Sequence, residues 1–231
     1  MSNLSSSLTS NLEEVNGRID GALHSALRNR GGLTLVAVSK RQPLSQVKAA
    51  YKLGIRHFGE SQIQEGVPKV KAAPEDITWH FMGHLQKNKV RKAVKYFQYI
   101  HSIDSLSLLQ RVDAISSEER LCPKLFLQVN YGLDPDKYGL HPEAASPVLQ
   151  AALSLKNISC IGLMGIPPHH SDEDRATAYF KGMTALRDQL KEEHPDWPGK
   201  LSLGMSGDFE SAICAGSHFI RLGTVLFGER S

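Results

Sequence analysis

The chain predicts an α/β fold, a single (β/α)8 barrel of the TIM type with an extra N-terminal helix. Three observations carry this expectation. Short apolar runs alternate with longer amphipathic segments, eight times in all, which is the pattern of a parallel sheet with crossover helices. From Leu33 to Phe227 each repeat takes roughly 24 residues, close to the minimum for a strand, a helix and two short loops. Neither GxGxxG nor the GxxxxGK that opens a P-loop occurs, so the two commonest reasons for an open nucleotide-binding sheet are missing. Periodicity alone leaves closure open, but eight units favour a barrel. No room remains for a second domain, so the expectation is one unit over 1–231, with the helix in 1–30 and the barrel in 33–228.

The first element is an amphipathic helix. Leu4, Leu8, Leu12, Val15, Ile19 and Leu23 recur at spacings of three and four up to about Arg30, where Gly31 and Gly32 end the pattern. A helix laid over the base of its own domain is expected, with a partner-binding face as the alternative. The strand expectations are 33–40, 56–60, 79–84, 99–104, 124–130, 159–166, 201–205 and 219–223. Helices fill the intervals, for instance 43–53 with Pro at its start, 86–96, and 172–191 with an acidic first turn.

Composition narrows the class. A formal charge of +3 demands neither nucleic acid nor a membrane surface as partner. Cys122, Cys160 and Cys214 are odd in number and far apart, which argues for a reducing compartment and against a disulfide or zinc framework. The start, MSNLSSSLTSNLEEV, has no basic segment and no apolar run, and nothing approaches the length of a spanning helix. A cytoplasmic protein is expected.

Chemistry gathers at the carboxyl ends of the strands. The first strand, LTLVAVSK, is nearly continuous in apolar residues and ends in Lys40, where parallel sheets place their sites; a solvated loop lysine is the alternative. After strand seven, Ser206, Gly207 and Asp208 open a helix, either as an anion site or as a plain N-cap. After strand eight, Gly223 and Thr224 offer further donors, with a glycine where backbone approaches a ligand. These two loops are the usual phosphate site of such barrels, and closure brings Lys40 to the same mouth. A lysine beside a phosphate grip suggests a phosphorylated carbonyl ligand held as a Schiff base, which needs the neutral amine. Only about one free lysine in 2500 is neutral at pH 7, so burial with Arg221 as a nearby cation would help.

Other signals carry less. The basic helix of Lys87, Lys89, Arg91, Lys92 and Lys95 lacks interleaved aromatics, which favours a solvated face over a nucleic-acid contact. His80 and His84 would share a strand face, but no further ligand is in view, and His169 and His170 read as loop residues. No metal is expected. Lys137 is either an anion contact at the mouth or an exposed loop lysine.

The segments AVSK (37–40), HFGE (57–60), WHFMGHLQKNKVR (79–91), HSIDS (101–105), GLMGIP (162–167), GMSGDFESAI (204–213) and IRLGTVLFG (220–228) resemble the YggS/PROSC family of pyridoxal-phosphate-binding proteins, relatives of the N-terminal barrel of alanine racemase (fold type III). The resemblance implies pyridoxal 5'-phosphate as cofactor, Lys40 as the Schiff-base lysine, Ser206, Gly223 and Thr224 on the phosphate, Arg221 at the pyridine nitrogen, and Met82 and Met164 against the ring. Two departures stand out: Ser61 occupies the place of an asparagine found in many members, and the turn over 203–208 carries an additional glycine.

An arginine at the ring nitrogen opposes its protonation and makes the cofactor a poor electron sink. Alanine racemases share that arginine but bring a second base from an additional β domain, which is not expected here because the chain ends at Ser231. The resemblance therefore implies a non-catalytic carrier that buffers pyridoxal phosphate, serves vitamin B6 and amino-acid homeostasis, and supplies apo-enzymes, as a monomer or weak homodimer. A residual amino-acid racemase and a cofactor-free Schiff-base aldolase are the alternatives.

Overall fold

The eight apolar runs form eight parallel strands that close in sequence order: β1 Thr34–Val38, β2 His57–Glu60, β3 Thr78–Phe81, β4 Tyr99–Ile103, β5 Lys124–Gln128, β6 Ser159–Met164, β7 Lys200–Ser202 and β8 Phe219–Leu222. The computed structural model describes residues 2–168 and 172–228. Closure is made by β1 and β8, with Thr34 opposite Phe219 and Val36 opposite Arg221. Strand eight is thus the neighbour of strand one, and Lys40, just past β1, stands beside the residues that follow β8.

Alternation along each strand divides the core. One set, including Ala37, Phe58, Trp79 and Leu222, faces outward and packs under the helices. The other fills the barrel, where Val36, Phe126, Met164 and Phe219 form a small apolar cluster.

The helices follow the strands: α2 Leu44–Lys52, α3 Ile63–Ala72, α4 Val90–Tyr96, α5 Leu106–Glu119, α6 Ala145–Ser154, α7 Glu173–Glu193, α8 Phe209–Cys214 and α9 Thr224–Phe227. Local chemistry sets several starts. Ser105 accepts from the Leu108 N–H ahead of α5, and Asp172 accepts from the Arg175 N–H ahead of α7. The expected helix 86–96 is a 3-10 turn, Lys87–Lys89, running into α4.

The N-terminal helix α1, Ser2–Ser25, differs from expectation in length and place. It ends before Arg30, because Leu27 turns to φ 53° and Arg28 donates to the carbonyls of Ile213 and Ser217, both at 2.6 Å. Gly31 and Gly32 lie in a separate 3-10 turn. Nor does it cover the base of the barrel. Asn11 donates to the Leu226 carbonyl at one end of the barrel wall while Arg28 reaches Ser217 at the other, so α1 runs along the flank. There α8 and α9 are short, and Leu8, Val15, Ile19 and Leu23 bury the surface those two helices leave uncovered.

Most strands stop short of their expected carboxyl ends: β1 at Val38, β3 at Phe81, β5 at Gln128, β6 at Met164 and β7 at Ser202. Beyond them, Met82, Ile166 and Met205 line the barrel mouth. His80 and His84 therefore do not share a strand face. His80 is buried inside the barrel, whereas His84 lies past the strand with Asp104 at 3.2 Å and Tyr138 stacked on its ring at 3.7 Å. No group of three or more metal-ligating side chains occurs among the described residues. Arg91 pairs with Glu118 and Glu119, and Lys95 with Glu119 at 2.9 Å, which partly neutralises the basic helix. The three cysteines are free, His169 and His170 lie outside the described residues, and no described helix is long and apolar enough to cross a membrane.

Candidate functional site

Lys40 owes its position to a buried clamp on the residue before it. Ser39 is fully buried; its N–H donates to the Gly59 carbonyl at 2.9 Å, and its hydroxyl donates to Glu60 Oε1 at 2.7 Å. Lys69, from α3, donates to the Ser39 carbonyl at 2.7 Å and to Glu60 Oε1 at 2.9 Å. Arg41 then turns to φ 60°. The chain corners here, and Lys40 projects into a cavity of about 280 Å3.

All seven residues expected at the site line this cavity: Lys40, Met82, Met164, Ser206, Arg221, Gly223 and Thr224. Ser61 and Met205 join them. Met82 fits because position 59 is glycine; a Cβ there would stand 2.3 Å from the Met82 methyl.

Arg221 is 5% exposed and anchored by Ser202 and Gly165. Its Nη1 donates to the Ser202 carbonyl at 2.5 Å and the Ser202 hydroxyl at 2.8 Å, and its Nη2 donates to the Gly165 carbonyl at 3.0 Å. Burial lowers its pKa to about 10, which leaves the guanidinium charged at neutral pH.

The anion side differs in detail from expectation. The helix after strand seven begins at Phe209, with Asp208 at the cap position, so Ser206 sits in the preceding turn rather than opening the helix. That turn is held by the Asp208 N–H on the Met205 carbonyl at 3.1 Å and the Met205 N–H on Asp208 Oδ1 at 2.6 Å. Ser206 Oγ instead reaches across to the start of α9, accepting from the N–H groups of Gly223 at 3.3 Å and Val225 at 3.4 Å. Gly223 has φ −117°, open to any residue, so the glycine is not required by its own backbone angle.

A larger groove of about 540 Å3 adjoins the cavity and shares Ile166, Met205 and Gly207 with it. Its charges are mixed, with Arg18 and Lys137 facing Asp172, Asp208 and Glu210, and no aromatic or thioether wall beyond Met205. Chemistry, not volume, favours the smaller cavity. Lys137 is not an exposed loop lysine: its side chain is 12% exposed and donates to the Pro167 carbonyl, with Asp134 at 3.8 Å.

Sequence reasoning missed Lys69. The signal was present, since Lys69 shares the apolar face of Ile63 and Gly66 at helical spacing, an arrangement that buries a charge only when partners wait for it.

The family described as alanine racemase, N-terminal domain, matches residues 24–231. A Synechocystis protein named pyridoxal phosphate homeostasis protein is 41% identical over 198 residues, covering 85% of this chain and 91% of its own. The Escherichia coli protein of that name is 35% identical over 224 residues, 95% of each chain. Among solved structures, PipY of Synechococcus elongatus with PLP bound superposes with a TM-score of 0.81 at 38% identity, over 91% of this chain and all of that one. Alanine racemase of Clostridium difficile matches in fold alone, with a TM-score of 0.76 at 14% identity over 97% of this chain and 57% of its own. The chain belongs to the pyridoxal phosphate homeostasis protein family, on the barrel of the alanine racemase N-terminal domain.

Proposed function

We propose that this chain binds pyridoxal 5'-phosphate in the Lys40 cavity and holds it for vitamin B6 and amino-acid homeostasis, without a catalytic reaction of its own. The observation that carries the reading is the convergence on one cavity of a lysine, a buried arginine and a set of backbone N–H donors. The names of the relatives and the PLP-bound neighbour support it.

The residues fit the cofactor. Thioether side chains from Met82 and Met164 suit the faces of an aromatic ring. The N–H groups of Gly223 and Val225 meet Ser206 Oγ at the long limit of a hydrogen bond, so a phosphate oxygen would be a better acceptor for them. In this reading Ser206, Gly223 and Thr224 hold the phosphate, Arg221 meets the ring nitrogen, and Lys40 bonds the aldehyde carbon. Bound there, the cofactor supplies an electrophilic carbonyl that an amine attacks reversibly.

What the chain's own residues do beyond binding is limited. Arg221 offers donors and no acceptor, and its positive charge opposes a proton on the ring nitrogen. Among the described residues that line the cavity, Lys40 and Arg221 are the titratable ones, which leaves no carboxylate or imidazole beside a substrate's α-carbon. Retention and exchange suit this set better than proton abstraction. We extend the reading to a cytoplasmic protein, monomeric or weakly dimeric, that hands its cofactor to apo-enzymes.

Incubated with pyridoxal phosphate, the protein is expected to gain a visible absorption band and to retain label after borohydride reduction, with Lys40→Ala losing both. Label on another lysine, with the band kept in Lys40→Ala, would overturn the site. For the non-catalytic part, loaded protein mixed with L-amino acids in deuterium oxide should show no Lys40-dependent α-proton exchange; steady exchange would make it a racemase-like enzyme. Recovery of an apo-enzyme by the loaded protein tests the transfer.

A further inference from the structure

A line of side chains crosses the barrel beneath Arg221. Arg221 Nη1 lies 2.8 Å from Ser202 Oγ, which is 2.9 Å from His101 Nδ1. His101 Nε2 is 2.9 Å from His80 Nδ1, and His80 Nε2 is 2.9 Å from His57 Nδ1. Ser202, His101 and His80 are fully buried, each from a different strand. His57 is half-buried and lines a groove of about 320 Å3 at the opposite end of the barrel, with Leu33, Thr34 and Arg56. The line therefore joins the site cavity to the far end.

Donor counting gives it a direction. A guanidinium has no lone pair to offer, so Nη1 donates and Ser202 Oγ accepts. The buried Ser202 proton then has His101 Nδ1 as its acceptor. A neutral imidazole that accepts at Nδ1 carries its proton on Nε2, so His101 donates to His80, and the same step makes His80 donate to His57. Burial keeps the His80 and His101 rings neutral, and each stage has one donor and one acceptor matched.

We infer that Ser202, His101 and His80 are positioning residues for Arg221: a one-way hydrogen-bond chain fixes the guanidinium so that its remaining N–H groups meet a ring acceptor in the cavity. The inference rests on the pyridoxal phosphate reading. A buried polar column is costly beside an apolar filling of the same shape, so its presence behind the one arginine of the cavity calls for a use. Nη1 commits both protons to Ser202 and Nη2 one to Gly165, which turns the rest of the guanidinium to the cavity.

The test combines nitrogen NMR of 15N-histidine-labelled protein with two ligands, pyridoxal phosphate and its analogue carrying carbon in place of the ring nitrogen. Ligand-free wild type should show His57, His80 and His101 as Nε2–H tautomers, and Ser202→Ala should turn His101 and His80 into mixtures. His101→Leu should bind pyridoxal phosphate about tenfold more weakly, the effect of one lost hydrogen bond, while its affinity for the analogue stays unchanged. His101→Asn places an amide oxygen near the Nδ1 position and should restore most of the affinity even if His101→Leu folds poorly. Nδ1–H tautomers in wild type, tautomers indifferent to Ser202→Ala, or equal loss for both ligands would overturn the inference. Wild type that shows the tautomers yet binds no pyridoxal phosphate would instead overturn the binding reading.

Discussion

Replacing Lys69 by methionine probes the clamp that presents Lys40. The lysine places its three protons on the Ser39 carbonyl at 2.7 Å, Glu60 Oε1 at 2.9 Å and Glu65 Oε1 at 2.6 Å. Glu60 is fully buried and its Oε2 has no hydrogen-bond partner among the described residues, so Lys69 is its main compensation besides the Ser39 hydroxyl. Glu65 is partly exposed and can turn to water, but the Ser39 carbonyl and Glu60 Oε1 cannot. Losing one partner of a buried pair costs about 3 to 5 kcal/mol. In a chain of this size that lowers Tm by about 6 to 20 °C.

The loss carries a pH signature. Burial pushes the Glu60 carboxyl up even against the pull of Lys69 and Ser39. A carboxyl raised in the folded state contributes stability in acid, lost as pH rises through its folded value. Without Lys69 that value rises further, so the gap between variant and wild type should be wider at pH 8 than in acid, shrinking by up to about 1.4 kcal/mol per unit as Glu60 takes up its proton. Thermal melts at pH 8, 6.5 and 5 read the gap, and Glu60→Gln added to Lys69→Met should recover part of it. Because the Ser39 carbonyl precedes Lys40, the variant should also trap less pyridoxal phosphate under borohydride. A gap below about 1 kcal/mol at pH 8, or the same gap at pH 5, would refute the argument.

Two further outcomes follow from the site. Ser206→Ala should weaken pyridoxal phosphate binding by about 0.5 to 2 kcal/mol, measured by fluorescence titration, and pyridoxal lacking the phosphate should bind far more weakly; equal affinity for the two forms would place the phosphate elsewhere. His80 and His101 are held neutral by burial, so below pH 6.5 the unfolded chain binds more protons and stability falls, by up to about 1.4 kcal/mol per unit for each ring. Glu60 and Asp208, raised by burial, act the opposite way and blunt the fall. Urea unfolding at pH 7.5 and 5 measures it, and a slope unchanged in His101→Asn would show that the column is not its source.

The barrel was legible because its signal is local: β-branched runs and amphipathic intervals repeat, and eight repeats leave little choice of architecture. That Lys40, Arg221 and the loops after strands seven and eight share one mouth was legible for the same reason, since each lies at or beside the carboxyl end of a strand. What depends on packing between distant elements was not. The place of α1 follows from α8 and α9 being short, and the late start of α8, which leaves Ser206 in a turn, follows from the Asp208 contacts to Met205, neither of which periodicity encodes.

The histidine column shows the limit most plainly. His57, His80 and His101 stand on three consecutive strands, in HFGE, WHF and HSID, so the residues were in view. Their meeting depends on stagger: β3 pairs its His80 with Gly59 of β2 and with Tyr99 of β4, so each histidine contacts the next diagonally, two residues away from its ladder partner. Stagger is set by the shear of the closed barrel, a property of all eight strands together. A reading along one strand sets His80 beside His84, with no further ligand in view. Closure pairs it with His57 and His101, and turns the same residue into the middle of a line that ends on Arg221.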